Sequence, residues 1–198
     1  PSALRTLLLN PLNNYIIKPK MIIPYYKVEY NKRVNHFCYL GNDEIVFNSN
    51  NSIYITNIYT NSIIKEFSFH NGIINCIIKL GKDSIATCSE NGLIYIFNKE
   101  KLLHTLTGHQ SCVYQIIELQ NGDLASCSED KTIKIWETNT YKCKATLIGH
   151  SVNVISILQL KDGRLISGSS ERKIKLWNLQ SYQEITTLAI ADISVTSM

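Results

Sequence analysis

The chain has 198 residues and a formal net charge of +4, with 44% hydrophobic, 9% aromatic and 18% charged residues. That apolar content suffices for a buried core and excludes a disordered or collagen-like chain. No run approaches the roughly 18 to 20 apolar residues of a membrane span and no secretory signal opens the chain, so the reading is of a soluble protein.

In chain order, residues 1–21 read as an irregular basic arm. Residues 1–33 carry Arg5, Lys18, Lys20, Lys27, Lys32 and Arg33 against Glu29 alone, a net of +5 that leaves −1 for residues 34–198. Such an arm could meet RNA, acidic protein or anionic lipid, but without interleaved aromatics it reads first as a solvated linker. Ile22 to Lys27 fits an edge strand, where Pro24 is tolerated.

From there the sequence repeats itself. Segments opening at His70, His109 and His150 align without gaps through Phe97, Trp136 and Trp177, at steps of 39 and 41 residues. Tyr30 opens a worn copy, in which Val34 stands for Ile74. Ala191 opens a fifth that halts at Met198. The approximate repeats are 22–61, 62–101, 102–141 and 142–182, with a partial one at 183–198.

Within a copy the apolar period is two, and Gly, Asn and Asp fall between the runs. Val113–Leu119, Leu124–Ser128, Thr132–Trp136 and Lys142–Leu147 therefore read as four short strands, rich in Ile, Val, Tyr and Thr. No segment carries a helical stripe. The cysteines, Cys38, Cys76, Cys88, Cys112, Cys127 and Cys143, lack any C-x-x-C pair or partnered histidines, and read as free structural thiols in a reducing compartment.

Four strands in about 40 residues, opened by Gly108-His109 or Gly149-His150 and closed by Trp136-Glu137 or Trp177-Asn178, resemble the WD40 family over residues 22–198. The resemblance implies an all-β propeller with one four-stranded blade per repeat: about four blades here plus the start of a fifth. It also implies that each repeat supplies the outer strand of one blade and the inner three of the next. Rings of this family commonly close at seven blades, so the chain is expected to be part of a larger ring. The absence of a methionine before Pro1 points the same way. The alternative is four blades closing alone, with residues 190–198 as a tail.

The family's structural tetrad maps onto His109, Ser126, Asp130 and Trp136. The next copy has His150, Ser167 and Trp177, with Glu171 for the aspartate and one more methylene that is expected to displace the carboxylate. His70, Thr87, Asn91 and Phe97 form a shortened version, since Phe97 cannot donate. Tyr30, Phe47, Asn51 and Asn57 keep none of it. Histidine, serine and an acid are also the parts of a hydrolytic triad, but repeat-locked spacing that ends on tryptophan argues for structure. No G-x-S-x-G, P-loop or H-E-x-x-H is present. A non-enzyme without cofactor or metal is expected.

The resemblance further implies that ligands meet the propeller mouth at residues after the strand-a valine and before the turn aspartate. These are Asn35, Asn75, Tyr114, Ile155 and Thr196, and Asn50, Glu90, Glu129 and Ser170. None is basic, which argues against phosphopeptide binding. The expectation is a scaffold in a multiprotein complex, cytoplasmic or nuclear, binding a neutral or basic peptide or loop whose apolar anchor meets Tyr114. The competing expectations are a ubiquitin-ligase substrate receptor and a ribonucleoprotein component held by the arm.

Overall fold

Strict alternation gives an extended strand two unlike faces, so an antiparallel sheet of such strands buries one or both only by stacking on another sheet. The computed structural model describes residues 34–60, 62–81 and 83–189. The arm, the 22–27 strand, Tyr30, Ala191 and Thr196 lie outside them.

Among the described residues sixteen strands make four sheets. Sheet 1 holds β1 (Phe37–Gly41), β2 (Glu44–Ser49), β3 (Ser52–Asn57) and β4 (Ile63–Phe67). Sheet 2 holds β5 (Ile74–Leu80), β6 (Ser84–Ser89), β7 (Ile94–Phe97) and β8 (Leu102–Leu106). Sheet 3 holds β9 (Val113–Glu118), β10 (Leu124–Ser128), β11 (Thr132–Glu137) and β12 (Lys142–Ile148). Sheet 4 holds β13 (Val154–Gln159), β14 (Leu165–Ser169), β15 (Lys173–Asn178) and β16 (Gln183–Ala189). Each is an antiparallel meander in chain order, and no helix occurs among the described residues.

The sheets stack face to face as blades. The first strands pack in succession, β1 on β5, β5 on β9 and β9 on β13, which makes them the innermost. Each seam has its own core. Leu40, Val46, Ile53, Ile55 and Phe67 of blade 1 meet Ile74, Ile77, Ile85 and Phe97 of blade 2. Ala86, Cys88, Ile94, Ile96 and Leu106 meet Val113, Ile116, Leu124 and Trp136. Ala125, Cys127, Ile133, Ile135 and Leu147 meet Val154, Ile157, Leu165 and Trp177.

Blade 4 presents the equivalent face with no described blade upon it. Leu188 holds the place of Leu147 and is 58% exposed where Leu147 is 1% exposed. No packing comparable to the other seams joins β13 to β1 among the described residues, so four blades form an arc.

The first blade departs from the sequence alignment by one residue. Its second hairpin turns through Asn50 and Asn51, with Ser49 paired to Ser52 and Asn50 at φ +55°. The other blades need three residues there and place Gly92, Lys131 or Arg172 at positive φ. The shorter turn moves the tryptophan position from Asn57 to Thr56. Thr56 carries the bulge against the outer strand that Phe97, Trp136 and Trp177 carry elsewhere, and Asn57 instead caps the next turn through Tyr59 and Thr60 amides.

Candidate functional site

In blade 3, His109 sits in the connection before β9, Ser126 in mid-β10, Asp130 in the following turn and Trp136 near the end of β11. His109 Nδ1 lies 2.7 Å from Asp130 Oδ2, His109 Nε2 2.8 Å from Ser126 Oγ, and Trp136 Nε1 2.8 Å from the same oxygen. Only one proton arrangement satisfies every atom. The indole N–H donates to Ser126, the hydroxyl donates to Nε2, and Nδ1–H donates to the carboxylate.

Electrostatics agree with a neutral imidazole. Burial lowers the His109 pKa and outweighs the pull of Asp130. Burial alone would raise Asp130, but bonds from the Thr132 hydroxyl, the Gln110 amide and His109 hold it at about 2.

Blade 4 repeats the chain with glutamate. His150 Nδ1 to Glu171 Oε1, His150 Nε2 to Ser167 Oγ and Trp177 Nε1 to Ser167 Oγ are each 2.7 Å. The extra methylene therefore does not displace the carboxylate. Glu171 also accepts from Ser151 and Lys173, and despite burial these bonds hold it at about 2. Glycine before His109 and His150 leaves room for the indole: a Cβ on Gly149 would stand 3.0 Å from Trp177 Cη2.

In blade 2 the chain stops early. His70 Nε2 lies 2.8 Å from Thr87 Oγ1, while Asn91 spends its side-chain oxygen on Ser89 and the Leu93 amide and leaves His70 Nδ1 without a protein partner. The His70 ring lies 4.4 Å from Tyr95 and 5.4 Å from Phe69, and Phe67 and Phe97 pack in turn on Phe69. In blade 1, Phe47 stacks on Tyr54 at 5.3 Å in place of the polar pair.

The histidine–serine–acid connectivity matches a hydrolytic triad, yet the serines are 0% exposed and each already takes an indole N–H. No carbonyl can reach them.

The mouth residues flank one another within each blade, because the start of the first strand pairs with the end of the second. Glu90, Glu129 and Ser170 amides bond to the Ile73, Cys112 and Asn153 carbonyls. Asn35, Asn50, Glu90, Glu129 and Ser170 are exposed, whereas Tyr114 and Ile155 are half-buried. Glu129 accepts from Ser111 at 2.5 Å. Tyr114 packs against the blade 3–4 core and its hydroxyl accepts from Asn153 at 3.5 Å.

Asn75 is engaged elsewhere: its Nδ2 donates to the Val113 carbonyl at 2.9 Å and pins blade 2 to blade 3. Such ties recur along the inner strands, from Lys79 to the Leu40 carbonyl and from the Ile157 amide to Gln115. Their sequence signal is a polar side chain in an otherwise apolar inner strand. The same hairpins also expose Lys131 and Arg172, so the rim carries both signs of charge. Among the described residues no cluster of His, Cys, Asp or Glu could hold a metal, and no helix is long and apolar enough to cross a membrane.

Stacked four-stranded meanders tied by a buried tryptophan–serine–histidine–acid chain define a β-propeller. The chain carries WD40 repeats: the model of the WD domain, G-beta repeat, matches residues 100–137 and 141–178. It is similar to the WD repeat-containing protein 89 homolog of Dictyostelium discoideum, 32% identical over 93 residues, 39% of this chain and 26% of that protein. It is also similar to the ubiquitin homeostasis protein lub1 of Schizosaccharomyces pombe (strain 972), 34% identical over 77 residues, 38% of this chain and 11% of that protein. The chain thus spans about a quarter and a tenth of these relatives. Among solved structures, the WD40 beta propeller domain of Doa1 superposes with a TM-score of 0.69 at 20% identity, over 79% of this chain and 54% of that one. WD40 propellers bind other proteins, and the family as a whole is generally non-catalytic.

Proposed function

We propose that this chain is a non-catalytic scaffold that binds a neutral or basic peptide or loop at the propeller mouth, with an apolar anchor against Tyr114. The observation that carries this is the pairing of a half-buried aromatic, fixed through Asn153, with the exposed acids Glu90 and Glu129. A rigid aromatic loses little entropy on binding, and carboxylates on the rim attract a basic ligand. The open face of blade 4 supports further blades beyond those described.

A link to ubiquitin handling is the second reading, favoured by the name of the lub1 relative. It includes a substrate-receptor role in a ubiquitin ligase. A role in a ribonucleoprotein through the basic arm would give binding that falls steeply with salt.

The test is an array of peptides varied in charge and anchor, with ubiquitin on the same array, probed with the wild-type chain and Tyr114→Ala. The proposal expects neutral or basic peptides with one large apolar residue to bind, and the variant to lose about tenfold or more, as for an interface hot spot. Equal binding by the variant contradicts it, and ubiquitin binding alone supports the second reading.

A further inference from the structure

Sheet 2 sets a cysteine directly opposite a cysteine. In the β5–β6 register Cys76 pairs with Cys88, whereas the same place joins Gln115 to Cys127 in sheet 3 and Ser156 to Gly168 in sheet 4. Opposed residues of antiparallel strands have Cα atoms about 4.5 to 5.5 Å apart and side chains on one face. Disulfides span roughly 4.4 to 6.8 Å between Cα atoms, so the backbone already stands at bridging distance.

Both thiols face the seam with blade 3. Cys88 belongs to its core and Cys76 packs against it, with Cys76 Sγ donating to the Ile116 carbonyl at 3.7 Å. The two sulfurs interact: a hydrogen bond from Cys88 lowers the Cys76 pKa, while burial, then the same bond, raises Cys88. Cys76 is half-buried and Cys88 fully buried, so the more acidic thiol is also the more accessible. The other thiols of this region ionise less readily, since burial pushes Cys112 up to about 11 and Cys127 higher still.

We propose that Cys76 and Cys88 form a peroxide-sensitive dithiol that closes into a cross-strand disulfide. The Cys76 thiolate attacks one oxygen of hydrogen peroxide and the O–O bond breaks. Cys76 becomes a sulfenic acid, and the hydroxide released takes the proton that Cys76 had lost and leaves as water. The Cys88 sulfur then attacks the sulfenic sulfur, the S–O bond breaks, and the hydroxyl leaves with the Cys88 proton as a second water. Two thiols lose two electrons and one peroxide gains them. Closure also takes the Cys76 hydrogen from the Ile116 carbonyl and so removes a tie across the blade 2–3 seam.

Trypsin cleaves at Lys65, Lys79, Lys82 and Lys99, which puts Cys76 and Cys88 in separate peptides, 66–79 and 83–99. The folded chain is treated with hydrogen peroxide, its remaining thiols are alkylated, and it is digested without reduction. The expected product is 66–79 joined to 83–99, lighter than their sum by two hydrogens, present in Cys143→Ser and absent from Cys76→Ser. Either peptide joined to Cys112 or Cys127 instead, or both fully alkylated while the exposed Cys143 is oxidised, overturns the proposal. The wild-type digest decides between these outcomes even where Cys76→Ser fails to fold.

Discussion

Ser126 shows how one buried hydroxyl can organise a repeat. It accepts from Trp136 and donates to His109, so each polar atom that folding takes from water finds a partner, and none bears the roughly 1 to 3 kcal/mol cost of burial unpaired. His70 lacks that completeness: with Nδ1 unpartnered, burial lowers its pKa from the usual 6.5 to about 4. A depressed imidazole pKa means that the unfolded chain binds the proton first, so its stabilisation is complete above pH 6.5 and is lost as pH falls through 4. The span corresponds to about 3 kcal/mol. His109 and His150 are also lowered by burial and act in the same direction. Asp130 and Glu171, held at about 2, keep their contributions above the ordinary carboxylate range and lose them only below pH 4, toward 2. Chemical denaturation from pH 7 to 4 is therefore expected to show declining stability, with a shallower decline in His70→Asn. Parallel curves would contradict the neutral, buried assignment.

At the scale of elements, the same chain ties a loop, two strands and a turn together, so its loss is felt by the whole blade. Trp136→Phe removes the indole donor and leaves the Ser126 oxygen a partner short, at an expected cost of about 1 to 3 kcal/mol. An unchanged melting temperature would contradict the chain's role. Blade 2 indicates how such a loss is absorbed, since Phe97 packs with Phe67 and Phe69 and Thr87 keeps its histidine. The strands of blade 3 were legible because period-two alternation in Val113–Glu118 and Thr132–Glu137 has no helical rival. The position of Thr56 was not, because a hairpin one residue shorter leaves the flanking apolar pattern intact and shows only in strand pairing. The free carboxylate reach of Glu171 was equally hidden. An added methylene is absorbed by side-chain torsions, which sequence spacing does not report. Nor could spacing separate Asn75, tied to Val113, from mouth residues left exposed.

For the whole molecule, stacking one sheet on the next builds three seam cores and leaves a fourth apolar face, with Leu158 and Leu188 about half exposed, in the place where another blade would seat. The superposition on the Doa1 propeller domain at a TM-score of 0.69 shows the same radial stacking of sheets. Radial stacking also collects the first-strand starts and second hairpins of all blades at one end, so residues far apart in sequence share a surface. The expected mouth positions include no base, whereas the second hairpins also expose Lys131 and Arg172 beside them.

Whether that rim binds protein is the central claim, and affinity purification of the tagged chain from its native cells tests it directly. Wild type and Tyr114→Ala are compared at equal bait, with co-purified proteins quantified by mass spectrometry and both baits checked for equal melting temperature. A defined, near-stoichiometric set of proteins recovered with wild type and depleted severalfold with Tyr114→Ala is the predicted result. The same proteins in the same amounts with both baits would contradict binding at the mouth.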